Sequence, residues 1–217
     1  MSVILDRGPY WTVTLDRPQR ANALSADLVE DLHRVLDEAE VARPGALVLR
    51  GNGRHFAAGF DLGGLDRESD ASLAWRFLRI GVLLERLMAA PYRTVAVAEG
   101  AAVGAGADLV LACDHRLVAE TVTLRFPGSA FGVELGAVRR AELGADLVTG
   151  PPSTLEQVLR AAPAPLRRPA HDANAELAAL ARSVAVPGLR GRIAAYASSR
   201  ARAAQRLTEP TRPTPIS

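Results

Sequence analysis

Two apolar runs that each end at glycine, with a helical stripe between them, constrain this chain more than any other feature. Ala46 to Leu49 leads into Gly51-Asn52-Gly53, and Thr94 to Ala98 runs on to Gly100. Neither run alternates in polarity, so each predicts a buried strand closed by a turn. Between them Leu73, Phe77, Ile80, Leu84 and Leu87 recur at three- and four-residue spacing, which predicts a helix over 72–88. Strand, helix, strand in that order is a crossover unit with parallel strands, and the expected class is α/β.

The remaining pattern extends this unit in both directions. Val3 to Asp6 and Tyr10 to Leu15 flank Gly8-Pro9 and read as a hairpin. Ser25 is a helix N-cap candidate with Asp27 in the first turn, and Leu28, Leu32, Val35, Leu36 and Ala39 mark a helix of about three to four turns. A short helix from about Ala107 to Cys113 and strands at Arg116 to Val118 and Thr123 to Phe126 follow. Past Gly150 the composition changes: Pro163 to Pro169 reads as a linker, Ala175 to Val184 and Leu189 to Arg206 as helices, and residues 208–217 as a disordered tail. The expected organisation is a core over 1–150, a C-terminal helical segment over 151–207 and that tail. No internal repeat is evident.

Composition narrows the function. At 217 residues, 48% hydrophobic and 23% charged, the chain suits one domain with a substantial core. Its single cysteine, Cys113, excludes an internal disulfide framework, and His33, His55, His115 and His171 lack metal-ligand spacing, so no metal is expected. Every basic residue is arginine, which removes lysine Schiff-base chemistry, and a net charge of +2 does not suggest a nucleic-acid surface. No basic stretch followed by a long apolar run opens the chain, and no membrane-length apolar segment occurs, so a soluble cytoplasmic protein is expected.

The chemistry resides in two small-residue turns, each placed after a strand: residues 55–62 (HFAAGFDL) and 99–108 (EGAAVGAGAD). Both can lie at the same edge of one sheet. Small side chains let a ligand approach the backbone, and a helix starting near Ala107 directs unpaired N–H groups and its positive dipole end at that ligand, a combination that suits an oxyanion. A dinucleotide fingerprint needs a third glycine at position 109, where Leu109 stands, and no GxSxG elbow exists. Taken singly, either turn reads equally as tight packing.

Together the turns acquire a likeness. Thr14-Leu15-Asp16-Arg17-Pro18 with Asn22-Ala23-Leu24, then residues 56–62 (FAAGFDL), then residues 104–109 (GAGADL) followed by Ala112-Cys113-Asp114, resemble the ordered signatures of the crotonase (enoyl-CoA hydratase/isomerase) superfamily. The resemblance runs from residue 1 to about 136. It implies a crotonase-like ββα spiral core with a shortened C-terminal helical region, and an acyl-coenzyme A thioester as substrate with no further cofactor. It also implies a trimer or hexamer.

Carried over position by position, the resemblance implies that the backbone N–H groups of Phe60 and Ala105 hold the thioester oxygen. Ala58, Asp61, Leu62 and Gly104 complete that substrate contact, and Arg20, Ala21, Asn22 and Leu24 lie along the coenzyme A adenine end. Asp108 stands where family hydratases have their first catalytic glutamate, and Gly128 where they have the second. Asp108 reads as the acid/base group or as a helix-start charge, and Glu134 as a substitute acid or a solvated loop charge. Asp61 and Asp114 read as capping or turn residues, His55 as a packing histidine, Cys113 as an inert thiol, and Trp11 and Trp75 as core or subunit-contact residues. The implied activity is enolate stabilisation with one proton-transfer group, as in double-bond migration or decarboxylation. The rival readings are a weakly active subunit assisting a partner enzyme and a coenzyme A ester binding module.

Overall fold

The computed structural model describes residues 2–136, 140–141, 148–160 and 172–208, and these form two sheets wrapped by helices. The expected hairpin is present: β1 (Val3–Asp6) pairs antiparallel with β2 (Trp11–Leu15). The crossover unit follows as β3 (Ala46–Gly51), α2 (Asp70–Met88) and β5 (Arg93–Ala98). With β7 (His115–Val118) these strands make a five-stranded sheet in the order β1-β2-β3-β5-β7, parallel from β2 onward.

The central strands are apolar on both faces because both faces are covered. Leu47 and Leu49 of β3 join the main core with α1 (Ala26–Ala42) and α2, while Val48, Val95, Val97 and Leu117 meet α4 (Leu155–Arg160) on the other side. Ser25 caps α1 by accepting from the Leu28 N–H, and Ser69 and Ser72 form a reciprocal capping box at the start of α2. At seventeen residues, α1 is longer than the apolar stripe alone predicts, because its last turn carries Glu40, Val41 and Ala42 beyond the buried Ala39.

A second, smaller sheet positions the turns. The three-residue strands β4 (His55–Ala57) and β6 (Ala101–Val103) pair in parallel, and β8 (Leu124–Arg125) joins β6. Sequence pattern hides such short strands, yet their parallel pairing brings both small-residue turns to the same edge. Helix α3 (Ala105–Ala112) starts two residues earlier than the pattern predicts and is buried along its whole length. Helices α5 (Ala173–Ala185) and α6 (Leu189–Thr208) pack on α2; the Asp70 carboxylate, at the head of α2, accepts from the N–H groups of Gly188, Leu189 and Arg190 and so anchors the start of α6. The expected linker at 163–169 and residues 209–217 of the expected tail lie outside the described residues. Among the described residues no helix is long and apolar enough to cross a membrane, and no three His, Cys, Asp or Glu side chains gather as metal ligands.

Candidate active site

The first turn is held by backbone pairing to a segment far away in sequence. Leu24 N–H donates to the Gly59 carbonyl at 2.7 Å, Asp61 N–H donates to the Leu24 carbonyl at 3.2 Å, and the two strands form a parallel bridge centred on Phe60. In such a bridge the flanking residues spend their groups on the partner, so the N–H of Phe60 itself faces the opposite side. On that side stands the second turn. Gly59, at φ +86°, leaves no room for a Cβ: one built there lies 2.5 Å from the Val103 carbonyl oxygen and 3.4 Å from the Ala105 nitrogen. Glycine at this position is therefore required twice, by conformation and by contact.

Ala105 opens α3, so its N–H has no intrahelical acceptor. Gly106, the next residue, packs directly on the backbone of Ala57. Among the described residues no acceptor takes the N–H of either Phe60 or Ala105. Two unspent donors thus lie on adjoining backbones, one of them at the positive end of a helix dipole.

These donors border a cavity of about 50 Å³, large enough for a few heavy atoms. Ala58, Phe60, Leu62, Gly104, Ala105 and Asp108 line one part of it, and Phe77, Phe126, Phe131, Val133 and Leu135 supply an apolar wall. The Phe60 ring stacks on Phe77 with centroids 4.2 Å apart, and the Arg76 guanidinium lies 4.2 Å from the centre of the Phe60 ring. The bulk at position 60 is thus turned against α2, while its backbone remains available.

Asp108 is 2% exposed and lines the cavity. Its Oδ1 accepts from Arg140 Nη1 at 2.8 Å; the same nitrogen donates to the Leu135 carbonyl at 2.7 Å, and the guanidinium lies 4.8 Å from the centre of the Phe126 ring. Gly136, at φ +64°, makes room for this pair, since a Cβ there would collide with the Asp108 carboxylate. Asp108 thus combines a place in the first turn of α3 with an ion pair to Arg140 at the cavity.

Gly128, in the 3-10 turn Pro127–Phe131, lines the same cavity without a side chain, and a Cβ built on it lies 2.8 Å from the Val133 carbonyl. Glu134 is exposed, outside the lining, and its N–H donates to Ser183 Oγ; it has the position of a solvated loop charge.

The segment assigned to coenzyme A divides into two kinds of residue. Arg20 is exposed and Ala21 half-buried, whereas Asn22 is 0% and Leu24 1% exposed. Asn22 Oδ1 accepts from the Arg17 N–H, and its amide donates to the carbonyls of Asn52 and His55 at 3.0 and 2.9 Å. Its side chain is therefore a tie between loops, and any ligand contact from Asn22 has to come from elsewhere on the residue. Ala21 and Asn22 both have positive φ, 49° and 54°, and the Ala21 carbonyl accepts from Ala58 N–H, which carries the tie to the first turn.

Asp61 pairs with Arg17 at 2.9 Å and accepts from the Gly63 N–H, and Asp114 accepts from the Thr94 N–H and hydroxyl. Both are turn-holding residues. His55 lies outside the cavity lining, and Cys113 is buried. Of the two tryptophans, Trp11 is in the core and Trp75 is 62% exposed. Sequence reasoning missed Arg140, Tyr196 and Arg200, which all line the cavity. No local motif marks them; only the return of α6 over the site brings the last two there.

Known proteins resemble this chain in sequence and in fold. The profile of the family described as enoyl-CoA hydratase/isomerase matches residues 10–143. A protein of Mycobacterium tuberculosis named "Probable enoyl-CoA hydratase echA6" is 39% identical over 124 residues, covering 57% of this chain and 49% of its own. The enoyl-CoA isomerase/hydratase Fer4 of Mycosarcoma maydis is 36% identical over 140 residues, covering 60% and 51%. The chain thus spans about half the length of these curated relatives. A crystal structure from Bordetella parapertussis, described as an enoyl-CoA hydratase/isomerase, superposes with a TM-score of 0.78 at 33% identity, over 97% of this chain and 100% of that one.

Proposed function

The chain belongs to the enoyl-CoA hydratase/isomerase family, and from that membership we propose that it binds an acyl-coenzyme A thioester and moves a proton on its acyl group through an enolate. The observation that carries this reading is the adjoining pair of unspent N–H donors at Phe60 and Ala105. Two unspent N–H donors on adjoining backbones, in a site walled by aromatic rings, suit the stabilisation of a developing thioester oxyanion.

Asp108 is the proton carrier. It lines the same cavity as both donors, and Arg140 fixes the direction of its carboxylate. One carboxylate suffices to lift a proton from one carbon and return it to another, as double-bond isomerisation requires. Hydration needs a water to be oriented as well. The position that would carry a second acid is Gly128, where the Val133 carbonyl leaves no space for a Cβ without a shift of the turn. Isomerisation of a short 3-enoyl thioester is therefore favoured over hydration of a 2-enoyl thioester.

The test is a pair of assays on the purified protein, crotonyl-coenzyme A hydration and 3-enoyl to 2-enoyl isomerisation, repeated with Asp108→Asn. Isomerisation should exceed hydration, and Asp108→Asn should lower its kcat by about a hundredfold to ten-thousandfold while thioester affinity changes little. Hydration at tens per second, on the order of a median enzyme, would show that another group supplies the second acid. Equal behaviour of the wild type and Asp108→Asn would favour a thioester-binding module that assists a partner enzyme.

A further inference from the structure

Among the described residues, the charged side chains that line the cavity are one carboxylate and two guanidiniums. Asp108 is opposed by Arg140, and a second guanidinium, Arg200 of α6, lines the same space. Among the described residues no carboxylate lies within ion-pair distance of Arg200, whose nearest described partner is the Tyr196 ring, 6.0 Å away and one turn earlier on the same helix. Tyr196 and Arg200, four residues apart, share a face of α6, and Tyr196 packs on Phe131 of the apolar wall with ring centroids 5.0 Å apart. Among the described residues, the lining therefore carries a carboxylate beside the N–H donors and a cation, Arg200, on the wall built from α6. A purely hydrocarbon acyl chain would gain nothing from that cation.

We infer that Arg200 recognises a carboxylate borne by the acyl group, so that the substrate class is a short dicarboxylic acid carried as its coenzyme A monothioester. The described part of the cavity, about 50 Å³, has room for a short acyl group. A guanidinium is suited to the task because its planar donors match a carboxylate edge to edge. The inference rests on the thioester reading above and extends it to the acyl group.

Coenzyme A itself carries anions, so the experiment separates the two sources. Affinities of the purified protein for glutaryl-coenzyme A, pentanoyl-coenzyme A and free coenzyme A are measured by calorimetry, for the wild type, Arg200→Gln and Arg200→Lys. The wild type should prefer glutaryl to pentanoyl by about tenfold or more, the effect of one charge-assisted contact. Arg200→Gln should abolish that preference by weakening glutaryl binding alone, and Arg200→Lys should retain part of it. Arg200 is exposed, so these variants should fold. Equal binding of the two thioesters by the wild type overturns the inference and leaves the thioester reading in place. So does a loss in Arg200→Gln that is the same for both thioesters and free coenzyme A, which would assign Arg200 to the coenzyme phosphates. Absence of any thioester binding overturns both.

Discussion

At the scale of single residues, Asn22 illustrates how a family signature can be structural rather than chemical. Fully buried, with its amide spent on three backbone groups, it joins the Arg17–Leu24 segment to the loop before β4. Asn22→Ala would leave two carbonyls and one N–H unpaired and place alanine at φ 54°, which asparagine tolerates better. Unpaired buried groups cost about 1–3 kcal/mol each, with partial rescue by water, so the whole change should cost roughly 3 kcal/mol. For a chain of this size that is a fall in Tm of about 10 °C. Thermal unfolding checks it: a fall of a degree or two would mean that the tie is dispensable.

At the scale of elements, the seam between α1 and α2 is polar at one edge and responsive to pH. His33 is buried there, its Nε2 3.1 Å from the Arg79 carbonyl and its Nδ1 3.1 Å from Arg86 Nη1. A ring that donates to a carbonyl and accepts from a guanidinium is neutral. Burial pushes its pKa below the ordinary 6.5; the Arg79 carbonyl and Glu30 oppose the shift, and the Arg79 and Arg86 charges add to it. Because the unfolded histidine takes up its proton first, this contribution is fully present above about pH 6.5 and is lost as the pH falls toward the folded value. Tm should therefore drop between pH 7.5 and 5.5, and His33→Gln should flatten that drop. Parallel profiles for the two proteins would assign the acid sensitivity elsewhere.

The same scale shows what was legible in the letters. Long elements with a regular apolar period, α1, α2, β3 and β5, were readable because burial alone dictates them. The strands β4 and β6 were not, since three small residues carry no period, and their pairing depends on neighbours about 45 positions away. Likewise the two turns and Asp108 stand out as motif, whereas Arg140 and Arg200 reach the cavity only through tertiary structure. The exposed position of Glu134 also needed coordinates, because a nearby acid in sequence and one facing away look identical.

At the scale of the molecule, one large aromatic side chain stands out on the surface. Trp75 on α2 is 62% exposed and borders a shallow recess formed with Leu24, Val29 and Ile80. A large aromatic in that setting is suited to contact with another subunit. Sedimentation at micromolar concentration should give a trimer or a pair of trimers, and Trp75→Asp should weaken the association. A concentration-independent monomer would count against this expectation.

The contact of Gly59 with Val103 and of Gly106 with Ala57 has a consequence for how such a molecule can change. A side chain at Gly59 or at Gly106 would push the two turns apart, so the spacing of the two donors depends on both glycines. The opposite wall, from Phe126 to Leu135 and along α6, carries no such restriction at Phe131, Tyr196 or Arg200. On the proposed reading, substitutions there would change which acyl group is accepted while leaving the two turns untouched, and a designer seeking altered selectivity should start on that wall.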